Sequence, residues 1–259
     1  MYQSLEASLH DAFWNAHGPS AELPLLRRFL RNHPGRSLEV GCGSGRLLLP
    51  LLAEGFSIEG LEPSGEMLAI LKEQATQQNL NPIILTGELK DFRKQEEIQK
   101  GQPLEAIVIP AFTLQLFDDP IKGVADCRKL LPKGGGLYLT VFFPLAEVYE
   151  ELPAGEDYLD EELMLPDGSR ARMYTSHSLD KTQQILTRNH RYELVKGTEI
   201  SKHQSRQVLR YCSEEDWRHL LHATGFEIVE TFTDFEENPT PLDVDDSTAG
   251  VTTFLTRAL

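Results

Sequence analysis

The sequence predicts an α/β fold: a doubly wound, mostly parallel sheet with helices on both faces, interrupted by a small antiparallel β insertion. Three observations support it. From Ser37 to Phe143 short apolar runs alternate with amphipathic helical stretches, the pattern of repeated strand–helix–strand units. One run, Leu104 to Pro110, is apolar apart from Glu105, as expected of a strand buried on both faces of a parallel sheet. From Pro166 to Tyr211 the pattern changes to long extended segments separated by turns.

With 259 residues, the chain can bury a full core as one α/β domain with an insertion, or as a domain and a half. No run of about 18 apolar residues occurs, so no membrane span is expected. The start, Met1-Tyr2-Gln3-Ser4-Leu5-Glu6, lacks the basic-then-apolar profile of a secretory signal. Cys42, Cys127 and Cys212 are odd in number and without metal-ligand spacing. Neither a metal site nor a disulfide framework is expected, and a cytoplasmic location fits. The net charge of −15 opposes docking onto nucleic acid and favours a small-molecule partner. That charge is uneven. Acids without Lys or Arg run from Glu147 to Glu162, whereas Pro166 to Cys212 holds nine Lys/Arg against four acids.

In chain order, residues 5–32 carry two helical patterns around the breaker His17-Gly18-Pro19. The first sets Leu5, Leu9 and Phe13 four apart with Trp14 beside them. The second, Leu23 to Leu30, stops at Pro34-Gly35. Ser37 to Val40 then reads as a buried strand running into Gly41-Cys42-Gly43-Ser44-Gly45-Arg46. Glycine there lets the backbone close on a ligand at positive φ. The apolar run Leu47–Leu52 reads as a helix whose free N–H groups face the loop. Phe56 to Leu61 is the second strand, closed by Glu62. An acid about 20 residues after the first glycine is placed to bind ribose hydroxyls. Ser64 reads as the N-cap of the next helix, with Met67, Leu68, Leu71 and Ala75 on its apolar face.

Ile83–Leu85 is a short third strand, followed by Gly87-Glu88-Leu89-Lys90-Asp91. Leu104–Pro110 is the fourth, with Ala111-Phe112-Thr113-Leu114-Gln115 at its carboxyl end, where ligands bind in open α/β sheets. Asp119-Pro120 opens another helix, Pro132-Lys133-Gly134-Gly135 stops it, and Leu137–Phe143 is the fifth strand. In the insertion, Arg170–Ser178, Gln183–Leu194 and Glu199–Tyr211 read as extended, making three or four antiparallel strands. Ser213 and Asp216 form a capping-box pattern for a helix ending at Gly225. Phe226–Phe232 and Val251–Arg257 complete seven strands as an antiparallel pair, joined by an acidic link, Asp234 to Asp246.

A dinucleotide fingerprint would need a small residue three positions after Gly43, and Arg46 stands there. The order acidic-x-Gly-x-Gly-x-Gly, Glu39 through Gly45, instead resembles motif I of the class I S-adenosylmethionine-dependent methyltransferases of small-molecule type. The likeness runs from about Arg36 to Phe143, through the glycine loop, Glu62, Glu88, the turn at Ala111-Phe112 and Pro132-Lys133-Gly134-Gly135. It implies a Rossmann-like seven-stranded sheet with an antiparallel last strand. Residues 36–143 and 213–259 would form the methyltransferase domain, 1–35 helices over the cleft, and 144–212 a β flap on the acceptor side. S-adenosyl-L-methionine would be the cofactor and S-adenosyl-L-homocysteine its product. Cofactor contacts would come from Glu39, Gly41, Cys42, Gly43, Gly45 and Arg46. Glu62 and Pro63 would hold the ribose, Met67 would pack near the adenosine, and Glu88 and Leu89 would hold the adenine. Ala111 and Phe112 would face the methionine part and Gln115 the sulfonium.

The reaction implied is direct methyl displacement onto an N, O or S nucleophile of a small acceptor, needing alignment and dryness rather than a covalent nucleophile. If a base is needed, His177, His190, Tyr192 and Tyr211 on the flap are the candidates. Trp14, Arg172, Arg206 and Arg210 are candidate substrate contacts, the arginines for a carboxylate or phosphate. The competing role for these arginines is pairing with the acidic 147–162 segment. Two other functions remain open on sequence: a non-catalytic S-adenosylmethionine-binding protein and a nicotinamide-dependent oxidoreductase. A monomer, or a homodimer through the insertion, is expected.

Overall fold

The computed structural model of the chain describes residues 2–16, 20–92, 94, 102–149, 152, 154–235 and 250–259. The His17-Gly18-Pro19 breaker and most of the acidic link after Asp234 lie outside them.

Helices α1 (Ser4–Asn15) and α2 (Leu23–Arg31) precede the sheet. Strands β1 (Ser37–Val40), β2 (Ile58–Glu62) and β3 (Ile84–Thr86) alternate with helices α3 (Leu48–Ala53) and α4 (Gly65–Gln77). β4 (Ala106–Ile109) leads through a 3-10 turn, Thr113–Leu116, to α5 (Pro120–Leu130) and β5 (Gly136–Phe142). Helix α7 (Glu214–Ala223) and strands β10 (Phe226–Thr233) and β11 (Val251–Ala258) end the chain. Between β5 and α7 stand a short helix, α6 (Leu145–Val148), and four strands.

The large sheet has the order β10-β11-β5-β4-β1-β2-β3. β1 to β5 pair in parallel, and β11 inserts antiparallel between β5 and β10. The seven-stranded sheet with an antiparallel last strand is therefore as expected. Its central strands alternate sides. Ile107 and Ile109 pack in one core with Leu38, Val40 and Trp217, while Ala106 and Val108 pack in the other with Leu25, Phe29 and Leu48. Burial on both faces explains why the run reads as continuously apolar. Ser64 accepts from Met67 N–H, Asp119 from Lys122 N–H, and Ser213 with Asp216 forms a full capping box; these caps satisfy helix-end donors.

The insertion is a four-stranded antiparallel meander, β6 (Tyr158–Met164), β7 (Arg170–Asp180), β8 (Ile185–Lys196) and β9 (Glu199–Arg210). Gly197, at φ +60°, makes the two-residue turn between β8 and β9. The first strand was hidden in the sequence because Asp160, Glu161 and Glu162 mask its alternation. Strand pleating sends alternate side chains to opposite faces. The register therefore puts Ala171, Met173, Thr175 and His177 of β7 on one face. Leu194, Tyr192, His190 and Arg188 of β8 share it, with His203, Ser205 and Gln207 of β9. Leu5, Leu9 and Phe13 of α1 pack against that face.

Candidate functional site

The cleft begins where β1 runs into the glycine loop. Gly41, Gly43 and Gly45 sit at φ +76°, +55° and +87°, a region that favours glycine. At Gly41 a Cβ would also stand 2.4 Å from Thr113 Cγ2, so the loop and the turn after β4 meet there. The helix expected over Leu47–Leu52 starts at Leu48, and Leu49 N–H already donates to Gly45 O (2.9 Å). The loop itself, more than a helix end, shapes the cleft.

Glu62 closes β2, and both its oxygens accept backbone N–H groups, from Gly43 (3.1 Å) and Ser64 (2.7 Å). The carboxylate is thereby fixed across the strand ends beside the loop. Burial raises its pKa, opposed by those two N–H donors. Glu39 is buried on β1 with Oε2 lacking a hydrogen-bond partner. Burial pushes its carboxyl up to about 8, against the pull of Arg46. Arg46 lies in the same acidic surroundings, near Glu22, Glu39 and Asp11. Met67 is buried under the loop, its Cε 3.2 Å from where a Cβ on Gly43 would stand. Cys42 is buried and its thiol is pushed well up by burial, which suits a lining residue rather than a nucleophile.

Helix α1 lies over this mouth. Asp11 accepts from Ser44 Oγ of the glycine loop and from Gln74 Nε2 of α4 (2.8 Å). Its pKa is lowered to about 2: burial works in the opposite direction and is outweighed by hydrogen bonds from His10, Ser44 and Gln74. Ser64 Oγ donates to Tyr2 O (2.8 Å). Beyond α1, Ala111 and Phe112 take positive φ of 50° and 63°. Ala111 N–H reaches buried Glu22 (3.3 Å), which also accepts from Thr140. Neither Glu22 nor Asp11 was singled out in the sequence, since nothing local marks an acid that a distant strand or loop will bind. A row of aromatic groups runs from the loop to the flap. Arg46 lies over Trp14 (4.6 Å), Trp14 is 6.4 Å from Phe112, Phe112 4.9 Å from Phe142, and Arg188 covers Phe142 (5.2 Å).

The inner face of the flap has an apolar cluster at each end. One joins Ala171 and Tyr192 to α1, and the other joins Leu186, Leu209 and Tyr211 to Phe142 and Phe143. Between them stands a polar window of Thr175, His177, Arg188, His190, Ser205 and Gln207. Thr175 Oγ1 donates to Asp160 (2.6 Å) and is 2.8 Å from His190 Nδ1. A hydroxyl has one proton to give, so His190 Nδ1 carries a hydrogen and Nε2 holds the lone pair. Burial, then Arg188, lowers the pKa of His190. Arg188 Nε donates to Glu147 Oε1 (2.9 Å), and His177, 2% exposed, has Nδ1 without a partner.

Several expected contacts are corrected. Gln115 is fully buried; its Nε2 donates to Phe142 O (2.9 Å) and Arg210 O (3.1 Å), and its Oε1 accepts from Phe142 N–H (2.8 Å). It ties the 3-10 turn to β5 and β9, with both Nε2 hydrogens and one Oε1 acceptor site already used. Glu88, expected to hold adenine, is exposed and paired with Lys90. Leu89 is buried and opens the helical turn 89–92, whose first N–H groups lack helical partners. Arg172, Arg206 and Arg210 fall on the outer face of the flap, because their register positions have the opposite parity to Arg188. Arg172 pairs with Glu162, and Arg210 Nε donates to Asp118 O (2.7 Å). Pairing with the acidic segment, the competing role, holds for Arg172, and for Arg188 with Glu147. Tyr211 packs edge-on against Phe143 (5.6 Å), away from the window. His177, His190 and Tyr192 are on the inner face.

A family described as methyltransferase domain matches residues 15–231. The chain is 24% identical over 180 residues to a ubiquinone biosynthesis O-methyltransferase of Glaesserella parasuis serovar 5 (strain SH0165), covering 70% of this chain and 64% of that protein. It is 30% identical over 132 residues to a phosphatidylethanolamine N-methyltransferase of Cereibacter sphaeroides, covering 48% and 62%. The chain thus spans somewhat under two thirds of the length of each. The CcbJ methyltransferase of Streptomyces caelestis has a similar fold (TM-score 0.73, 24% identity, 97% of this chain and 95% of that one). So has CalS10, an amino pentose methyltransferase of Micromonospora echinaspora solved with S-adenosylmethionine bound (TM-score 0.69, 18% identity, 100% and 98%).

Proposed function

This chain belongs to the methyltransferase domain family, and we propose that it moves the methyl group of S-adenosylmethionine to an N, O or S nucleophile of a small-molecule acceptor by direct displacement. The observation that carries this reading is the cleft at the ends of β1 and β2. There the glycine loop, the locked carboxylate of Glu62 and the buried carboxyl of Glu39, whose Oε2 has no hydrogen-bond partner, meet. The residues fit the donor. A buried acid with one oxygen lacking a hydrogen bond suits a donor group of a ligand, and an amino-acid tail brings an ammonium. Gly41, Cys42, Gly43, Gly45 and Arg46 would line that tail, with Ala111 and Phe112 opposite. Glu62 and Pro63 would hold the ribose, with Met67 and Leu89 about the nucleoside. The bound donor supplies a methyl already activated by the sulfonium charge.

The protein's own task is to align the acceptor and exclude water. Residues 36–143 with 213–259 would hold the donor, 1–35 cover it, and 144–212 receive the acceptor beneath the polar window. His190 is the base in this reading. Its Nδ1–H is engaged by Thr175, which Asp160 orients, and Nε2, with the Gln207 side chain beside the ring, would take the acceptor's proton as Gln207 gives way. Burial keeps the imidazole neutral near pH 7, the state a base needs. Among the described residues no helix is long and apolar enough to cross a membrane, and we place the enzyme in the cytoplasm, as a monomer or a dimer through the flap.

Calorimetry with S-adenosylmethionine, S-adenosylhomocysteine and NAD tests the donor, and an acceptor screen that reads S-adenosylhomocysteine release tests turnover. Binding of the first two without NAD, with turnover, is the expected result. Binding without turnover of any acceptor would make it a sensor, and NAD binding alone would make it an oxidoreductase.

A further inference from the structure

The charge on Glu6 is unexplained by methyl transfer alone. Glu6 lies on α1 and is 5% exposed. Its Oε1 accepts from Ser205 Oγ (2.8 Å) and Gln207 Nε2 (3.3 Å), both neutral donors. No Lys or Arg among the described residues forms an ion pair with it, and His190, a basic group on the flap's inner face, feels its charge. A carboxylate so deeply placed is expected to have a cation or to cost several kcal/mol of lost solvation.

Its surroundings say what that cation would be. Glu6 projects from the lid helix onto the polar window of the flap, through residues of β9 that stand beside His190. Aromatic side chains gather there. The Tyr192 ring lies 6.1 Å from His190, 6.3 Å from His203 and 6.2 Å from Phe13. An inward acid among aromatic faces suits an organic ammonium, drawn both by charge and by the ring quadrupoles. The inward arginine, Arg188, is already held by Glu147 and lies on the far side of His190 along β8.

We propose that the acceptor is a primary or secondary amine, bound as its ammonium by Glu6. This rests on the donor-binding reading above and deepens it. The ammonium gives one proton to His190 Nε2, which frees the nitrogen lone pair. That pair attacks the methyl carbon, forming the N–C bond. The C–S bond breaks with its electrons returning to sulfur, so the sulfonium becomes a neutral thioether. The product is the methylated ammonium, and one proton remains on the imidazole to pass to solvent. A hydroxyl acceptor would leave Glu6 without its cation and would be a poorer ligand.

The test is titration calorimetry on the full chain saturated with S-adenosylhomocysteine, using benzylamine and cyclohexylamine against benzyl alcohol and cyclohexanol. At least one amine is expected to bind about tenfold or more tightly than its alcohol. Glu6→Gln is expected to weaken that amine by roughly ten- to a hundredfold, the range for a charge-assisted hydrogen bond, and to leave S-adenosylhomocysteine affinity unchanged. Ser205→Ala, which keeps the charge, should retain the preference for amine over alcohol. Equal binding of amines and alcohols, an amine affinity indifferent to Glu6→Gln, or binding of neither probe class to the loaded protein overturns the proposal. If Glu6→Gln does not fold, the amine-to-alcohol ratio in the wild type and in Ser205→Ala decides. Failure of S-adenosylhomocysteine itself to bind overturns the donor reading instead, so the two failures are distinct.

Discussion

In the donor cleft the work is done by main chain: three glycines at positive φ, a turn with Ala111 and Phe112 at positive φ, and a strand-end carboxylate held by two backbone N–H groups. On the inner face of the flap it is done by side chains from α1, α6 and four strands, brought together only by register. The first kind of site needs particular residues at fixed spacing along the chain. The second needs only that each position have the right parity, so many sequences would serve. A change in the cleft should therefore act on donor binding, and a change in the window on the acceptor and the chemistry.

The sharpest way to separate the two is to remove the base. His190→Asn should lower kcat by about 10²- to 10⁴-fold, the usual worth of a general base, with donor affinity intact; a loss confined to donor Kd would merge the two regions. Next in size is Gly41→Ala, which must adopt positive φ and meets Thr113. Strain of about 1–3 kcal/mol should weaken donor binding several-fold to over a hundredfold, while the flap's own hydrogen-exchange protection stays as it was. Thr175→Val should cost roughly tenfold in kcat, since a buried hydrogen bond that orients the base is lost and His190 Nδ1–H is left unpaired.

The pH profile follows from His190. The base acts when neutral, its pKa is lowered by burial and by Arg188, and activity should fall only as pH drops below about 6.5, the ordinary histidine value. Arg188→Gln removes a positive charge and leaves Glu147 unpaired. Both changes raise the pKa of His190, so the acid limb should move upward. A limb that stays put would take His190 out of the reaction. The smallest effect expected is from Arg206→Met. Arg206 lies on the outer face, and the acceptor's KM should change by less than about twofold, as for most exposed substitutions.

The same contrast explains what could be read from the chain. The sheet, its caps and the seven strands were legible, because alternation, Gly–Pro stops and N-cap residues act locally. The positive-φ turn at Gly41, Gly43 and Gly45 and the strand-end place of Glu62 are legible because main-chain geometry there selects residue type. Arg172, Arg206 and Arg210 misled because a basic stretch shows charge but not parity; one register step separates an arginine facing the cleft from one facing solvent. Gln115 misled for a related reason. Its position after β4 is right for a ligand contact, yet Phe142 and Arg210, far along the chain, claim both its N–H donors and one of its acceptor sites. Glu6, Asp160 and Thr175 went unnoticed since each is ordinary until the strands bring them to His190 or to β9.

The most direct test of the account is a crystal structure with S-adenosylhomocysteine bound. The nucleoside's sugar hydroxyls should lie on Glu62, its ammonium near Glu39, and its sulfur should open between Phe112 and the window around His190. A nucleoside seated elsewhere, or a sulfur turned away from the flap, would contradict it.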